Sequence, residues 1–150
     1  MRKWLAISFV VLALGCGSGD NSLSGSISEV DSLAFQSVSI GLLGSSLIVE
    51  YLVGTTTTSG IAAKLTVDLT GLTAYQSIDL TTQLANGNSR GTLEQITTTT
   101  QEFSIIRGTL TLSGAPMANH ALTGQFYTTL SGNEMRTLNG AFSGTVTPEQ

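Results

Sequence analysis

The chain reads as an all-β protein: a single antiparallel domain of about eight strands, folded as a β-sandwich or a flattened barrel. Apolar residues recur at every second position over residues 61–70 and again over 75–84, the period of a strand with one buried face. Only 11% of residues are charged, so Thr, Ser, Asn and Gln must supply most of the polar surface, a composition that suits pleated, half-buried strands. Short turn signals punctuate the apolar runs: Gly44-Ser45-Ser46, Gly71-Leu72-Thr73, Asn86-Gly87 and Ser131-Gly132-Asn133-Glu134.

Residues 33–43 and 47–53 predict two successive strands on either side of the first of these turns. The second is apolar on both faces apart from Glu50, which places it under cover on both sides. Glu50 could be a functional carboxylate; the simpler expectation is a solvent-facing group near a strand edge. Residues 38–53 together are too short for a membrane helix, which needs roughly 20 apolar residues, and they contain Gly41, Gly44 and Glu50.

A polar loop over residues 55–60 follows, and then the first clean alternation. Ile61, Ala63, Leu65, Val67 and Leu69 share one side, and Ala62, Lys64, Thr66, Asp68 and Thr70 the other. Residues 75–84 repeat it with Ile78, Leu80, Thr82 and Leu84 inward. Asn86-Gly87 suits a type I′ hairpin, because both residues tolerate positive φ. Residues 90–98 and 101–113 are the next strand candidates, and residues 114–120, with Pro116 and His120, form a loop.

The C-terminal third contains an internal echo. Leu122-Thr123-Gly124-Gln125-Phe126 recurs sixteen residues later as Leu138-Asn139-Gly140-Ala141-Phe142. In a strand, Leu, Gly and Phe at alternate positions share one face, and each glycine leaves a gap that a neighbouring aromatic can cover. The expected inner face is Leu122, Gly124, Phe126, Leu138, Gly140, Phe142 and Val146. Asn139-Gly140 is also a turn signal, which would split the last strand.

The first sixteen residues follow a different grammar. Arg2 and Lys3 precede an uncharged apolar run from Trp4 to Leu14, and Gly15-Cys16 closes it with a small residue before the chain's single cysteine. An uncharged, largely apolar run of eleven residues reads as a signal peptide, removed on export, rather than a membrane span. The ending Leu12-Ala13-Leu14-Gly15-Cys16 resembles the lipobox of bacterial lipoproteins. That resemblance implies that Cys16 is acylated, becomes the new N-terminus and ties the protein to a membrane. The pattern departs from the usual one, which has Leu three places before the cysteine and a small residue two before. Ala13 and Gly15 also fit an ordinary secretory cleavage site, which would leave Cys16 as a free thiol. Gly17 follows the cysteine where an aspartate retains enteric lipoproteins at the inner membrane, which implies sorting to the outer membrane.

The domain plan is therefore a signal peptide over 1–15, a lipidated cysteine and flexible tether over 16–26, and an all-β domain over 27–150. The closing segment LNGAFSGTVT resembles the last strands of small-barrel surface lipoproteins of the factor H-binding and transferrin-binding types, a likeness confined to the C-terminal hairpin that transfers no binding residue.

About 135 residues remain after the leader, enough to bury roughly two thirds of the unfolded surface around one core. Four basic residues, Lys64, Arg90, Arg107 and Arg136, stand against ten acidic ones, a formal charge of −6. Without a basic patch, no nucleic-acid partner is expected. A lone cysteine forms no internal disulfide, and His120 is the only imidazole, so neither a zinc site nor any other cofactor is expected. The threonine tetrads at 55–58 and 97–100 could form an ordered array for glycans or ice, but they lack a repeated Thr-x-Thr spacing and read as exposed β-favourable residues. Asp68 and Asp79 could face each other across a hairpin, although like charges opposite one another are unfavourable and both fit the solvated face.

No nucleophile elbow, metal cluster or phosphate loop is present, so no catalytic residue is assigned and the chain reads as a non-enzyme. The leading expectation is a lipid-anchored envelope protein acting as a surface interaction or structural module with a filled core. The alternatives are a lipocalin-like carrier of a small apolar ligand, or an enzyme whose site is assembled from distant loops. The filled core is favoured because the aromatics available to line a pocket, Phe35, Tyr51, Tyr75, Phe103, Phe126, Tyr127 and Phe142, are also needed for packing. A transmembrane barrel is disfavoured by the lack of aromatic girdles.

Overall fold

The computed structural model describes residues 21–55, 57–96, 100–132 and 134–148; the leader and Cys16 lie outside them. Burial alternates with period two along β6 and β10, whereas β3 is buried on both faces, and the strands sort into two layers. In chain order the described strands are β1 (Ser22–Ser24), β2 (Ser37–Leu43), β3 (Ser46–Leu52), β4 (Ile61–Asp68), β5 (Ile78–Asp79) and β6 (Gly91–Ile96). They continue with β7 (Thr100–Phe103), β8 (Ile105–Leu112), β9 (Ala121–Leu130), β10 (Arg136–Thr145) and β11 (Thr147–Pro148). One sheet has the order β1-β10-β9-β8-β5 and the other β11-β2-β3-β4-β6-β7. Neither closes on itself, so of the two expected architectures the sandwich is the one adopted. Pairing is antiparallel except for β11, which runs parallel to β2.

The chain changes sheets within single residues. Ser104 separates β7 from β8, and Val146, fully buried, separates β10 from β11. Val146 is held there by two backbone bonds: its N–H donates to the His120 carbonyl, and its carbonyl accepts from the Asn119 N–H. The strands beyond the expected eight are short pieces at or near sheet margins, such as β1, β5 and β11.

The C-terminal echo forms the β9–β10 hairpin with the expected inner face. Phe126 lies opposite Gly140, and Phe142 opposite Gly124. A Cβ on Gly140 would fall 2.5 Å from Phe126 Cε1 and 2.6 Å from the Tyr51 hydroxyl, so only glycine fits under these rings. Asn139-Gly140 sits within β10, not in a turn. Tyr51 joins the layers: its buried hydroxyl donates to the Ala141 carbonyl at 2.9 Å, and its ring meets those of Phe35 and Phe126 edge-on at 5.0 and 6.3 Å. Around it a contiguous buried cluster that includes Leu47, Leu65, Leu93, Leu110 and Phe142 fills the space between the sheets.

Four expectations need correction. Residues 22–24, placed in a tether, form β1: they pair with β10, and the Asn21 side-chain carbonyl accepts the Ser143 N–H at 2.7 Å, so the sheet supplies backbone partners that the polar composition conceals. The strand expected over 75–84 contracts to β5, because the Asp79 carboxylate accepts the Thr81 N–H and hydroxyl at 2.8 and 2.7 Å and turns the chain. Ile78 and Leu80 are buried as expected, but Thr82 is exposed. At Asn86-Gly87 only Gly87 has positive φ (83°), and its N–H donates to the Leu84 carbonyl, so the turn is not type I′. At the start of β4 a bulge pairs Ile61 with Leu52 and Ile96 and puts Ala62 beside Ala63 in the core, which reverses the expected sides of Ile61 and Ala62.

Candidate functional site

The outer face of the six-stranded sheet carries a polar row set by register. Ser39, Glu50, Lys64, Glu94 and Glu102 are successive cross-strand partners. Glu50 is only 8% exposed, and Lys64 Nζ lies 3.8 Å from its Oε1. The expectation of a solvent-facing Glu50 near an edge is therefore corrected. Strand β3 lies inside the sheet between β2 and β4, where flanking side chains cover the carboxylate and a cation meets it.

Beside this row the 82–90 hairpin folds back along the sheet and encloses a surface cleft of about 510 Å³, whose walls include Thr66, Asn86, Asn88, Arg90, Glu102 and Phe103. Arg90 fixes the hairpin. Its Nη1 donates to the Asp68 and Thr70 carbonyls at 2.7 and 3.2 Å, and its backbone bridges Thr82 and Asp68. At the tip the Asn86 side-chain carbonyl accepts the Asn88 N–H at 3.0 Å, and Gln83 Nε2 donates to Ser89 Oγ at 3.1 Å. Hydroxyls, amides, the Asp68 and Glu102 carboxylates, the Arg90 guanidinium and the Phe103 ring converge here. That set can hydrogen-bond and stack on a neutral polar ligand; it contains no nucleophile paired with a base.

Asp68 and Asp79 do not face each other, because β4 and β5 belong to different sheets. Each instead caps its own turn. The Thr70 hydroxyl and N–H hold the Asp68 carboxyl below the usual range, helped by the Arg90 charge, and the Thr81 hydroxyl and N–H do the same for Asp79. His120 is an exposed loop residue whose Nδ1 lies 3.0 Å from the Ala118 carbonyl. Thr55, Thr58 and Thr100 are exposed, while Thr56 and residues 97–99 lie outside the described residues. Of the aromatics, Tyr51, Phe126 and Phe142 are buried, Phe35, Tyr75 and Phe103 are partly buried, and Tyr127 is exposed.

A second polar cluster closes one end of the sandwich. Arg136 Nη1 bonds Glu29 Oε2 at 2.9 Å and the Ser26 carbonyl at 3.0 Å, and Nη2 bonds Glu134 Oε2 at 2.8 Å. Ser26 and Thr137 exchange two further bonds, and together these pin the Ser26–Glu29 turn to β10. Neither cluster was evident in the sequence, since the bonds that tie each to the rest of the fold, such as Arg90 to Thr70 and Ser26 to Thr137, join residues 20 to 111 positions apart and no local period links them. Among the described residues no group of three or more His, Cys, Asp or Glu could hold a metal ion, and no helix is long and apolar enough to cross a membrane.

No protein-family model, curated protein or solved structure matches the chain.

Proposed function

We propose that the chain is an exported bacterial lipoprotein, held at the cell envelope by acylation of Cys16 and sorted to the outer membrane, where its β-sandwich serves as a non-catalytic interaction or structural module. The observation that carries this reading is the leader: two basic residues, an eleven-residue apolar run and Gly15-Cys16, ending four residues before the described fold begins at Asn21. Each buried methylene of an acyl chain contributes about 0.8 kcal/mol, so two or more chains hold the protein firmly where one binds reversibly.

The occupied interior favours a surface role over carriage of an apolar ligand, because Tyr51, Phe126 and Phe142 stand where a lipocalin-like pocket would open. The cleft beneath the 82–90 hairpin is the surface best equipped to meet a partner, and its hydroxyls and amides suit a neutral polar one. Full-length protein produced in a bacterium fed an alkyne-tagged fatty acid should take up the tag. A processed chain that carries no tag would remove the lipid anchor from this account.

A further inference from the structure

We propose that the processed protein stands end-on on its membrane, with the sandwich end built from residues 43–46, 69–77 and 113–120 seated on the lipid headgroups. This rests on the acylation of Cys16 proposed above. Three independent features converge on that end.

The first is where the chain enters. Strand β1 runs from Ser22, opposite Ala141, to Ser24, opposite Asn139, so its first residue lies on the side of β10 that leads to Thr145. Only Gly17, Ser18, Gly19 and Asp20 separate Cys16 from Asn21. Five peptide steps span at most about 18 Å, so an anchored Cys16 holds this margin of the domain close to the headgroups.

The second is which loops share that end. Val146, three residues beyond the Ser143 that Asn21 holds, bonds Asn119 and His120. Thr147 and Pro148 then pair with Gly41 and Leu42, next to the Leu43–Ser46 turn. Leu69 donates to the Ser45 carbonyl, and Leu112 to that of Tyr75, which brings in the 69–77 loop.

The third is charge. Residues 43–46, 69–77 and 113–120 contain no Asp, Glu, Lys or Arg, and they expose Leu43 (47%) and Met117 (52%). The opposite end also exposes apolar groups, Val30 and Met135, but sets them among Glu29, Asp31 and Glu134. Pressing carboxylates against headgroups costs desolvation and, on anionic lipid, repulsion; at the border of the proposed seat Asp68 is held by the Thr70 N–H in the field of Arg90, whereas the opposite end sets Glu29, Asp31 and Glu134 against Arg136.

Two exposed methionines at opposite ends supply the test. Acylated M117C and M135C proteins, each labelled with a fluorophore at the new cysteine, are reconstituted into phosphatidylcholine vesicles containing headgroup-nitroxide lipid. The label at 117 should be quenched several-fold more than the label at 135. Equal quenching, or stronger quenching at 135, in protein whose mass shows the acyl groups overturns the orientation and leaves the anchor intact. A mass without acyl groups overturns the anchor, and the orientation with it.

Discussion

The inner face of the five-stranded sheet alternates glycine with phenylalanine, Gly124, Phe126, Gly140 and Phe142, whereas the facing sheet presents Leu47, Val49, Leu65, Val67 and Leu93 around Tyr51. The first sheet stabilises by shape, since each ring lies over a missing side chain, and it tolerates neither a larger nor a smaller group. The second stabilises by bulk, through aliphatic side chains whose neighbours can shift to fill a gap. One core is therefore expected to respond unequally to substitutions on its two walls.

The largest effect should come from Phe126→Ala, which removes a fully buried ring that also covers Gly140; a loss of about 3–5 kcal/mol is expected from urea unfolding of the processed protein. Gly140→Ala comes next, at about 1–3 kcal/mol, because the added methyl meets Phe126 and Tyr51. Its control is Gly44→Ala, where the Cβ enters open space and only the positive φ of 59° is strained, at roughly 1–2 kcal/mol. Equal costs at Gly140 and Gly44 would break the distinction between shape and bulk.

Tyr51→Phe keeps the ring and removes the bond to Ala141 that ties the two walls together. It should cost about 0.5–1.5 kcal/mol by the same measurement. Burial raises the Tyr51 phenol well above its usual range, so this bond persists wherever the protein is otherwise folded.

The smallest effect is electrostatic. The folded-state carboxyl of Asp79 is held below its unfolded value, so its contribution is complete above the ordinary aspartate range and is lost as pH falls through the folded value. Asp79→Asn should therefore narrow the thermal-stability gap to wild type as the solution is acidified, and a gap independent of pH would argue against the turn-capping role.

The two walls also differed in how far the sequence disclosed them. The Gly/Phe echo was readable because its partners repeat within one hairpin, and period two assigns every residue of Leu122, Gly124, Phe126, Leu138, Gly140 and Phe142 to one face. The alternation in β4 was equally plain except at Ile61 and Ala62, where a bulge set by pairing with β3 and β6 inserts a residue that local pattern does not reveal. Residues 75–84 alternated as cleanly, yet the Asp79–Thr81 turn and the bond from Leu80 to Gly108 outweighed the pattern.

Strand β1 was hidden for the opposite reason: its polar residues bury little, and backbone pairing with β10 defines it. Glu50 was misplaced because strand order, not composition, decides which strand is central. The Arg90 cleft and the Arg136 cluster depend on contacts across distant segments, so sequence spacing carries no sign of them.

The interior is occupied by the protein's own rings, and the proposed attachment to lipid is made through Cys16. Native mass spectrometry of the protein, gently extracted from the membranes of the producing bacterium, tests both parts at once. The account predicts one species, with the mass of the chain from Cys16 onward plus its acyl groups. A retained non-covalent ligand would contradict the filled core, and a chain from Cys16 without added mass would contradict the anchor.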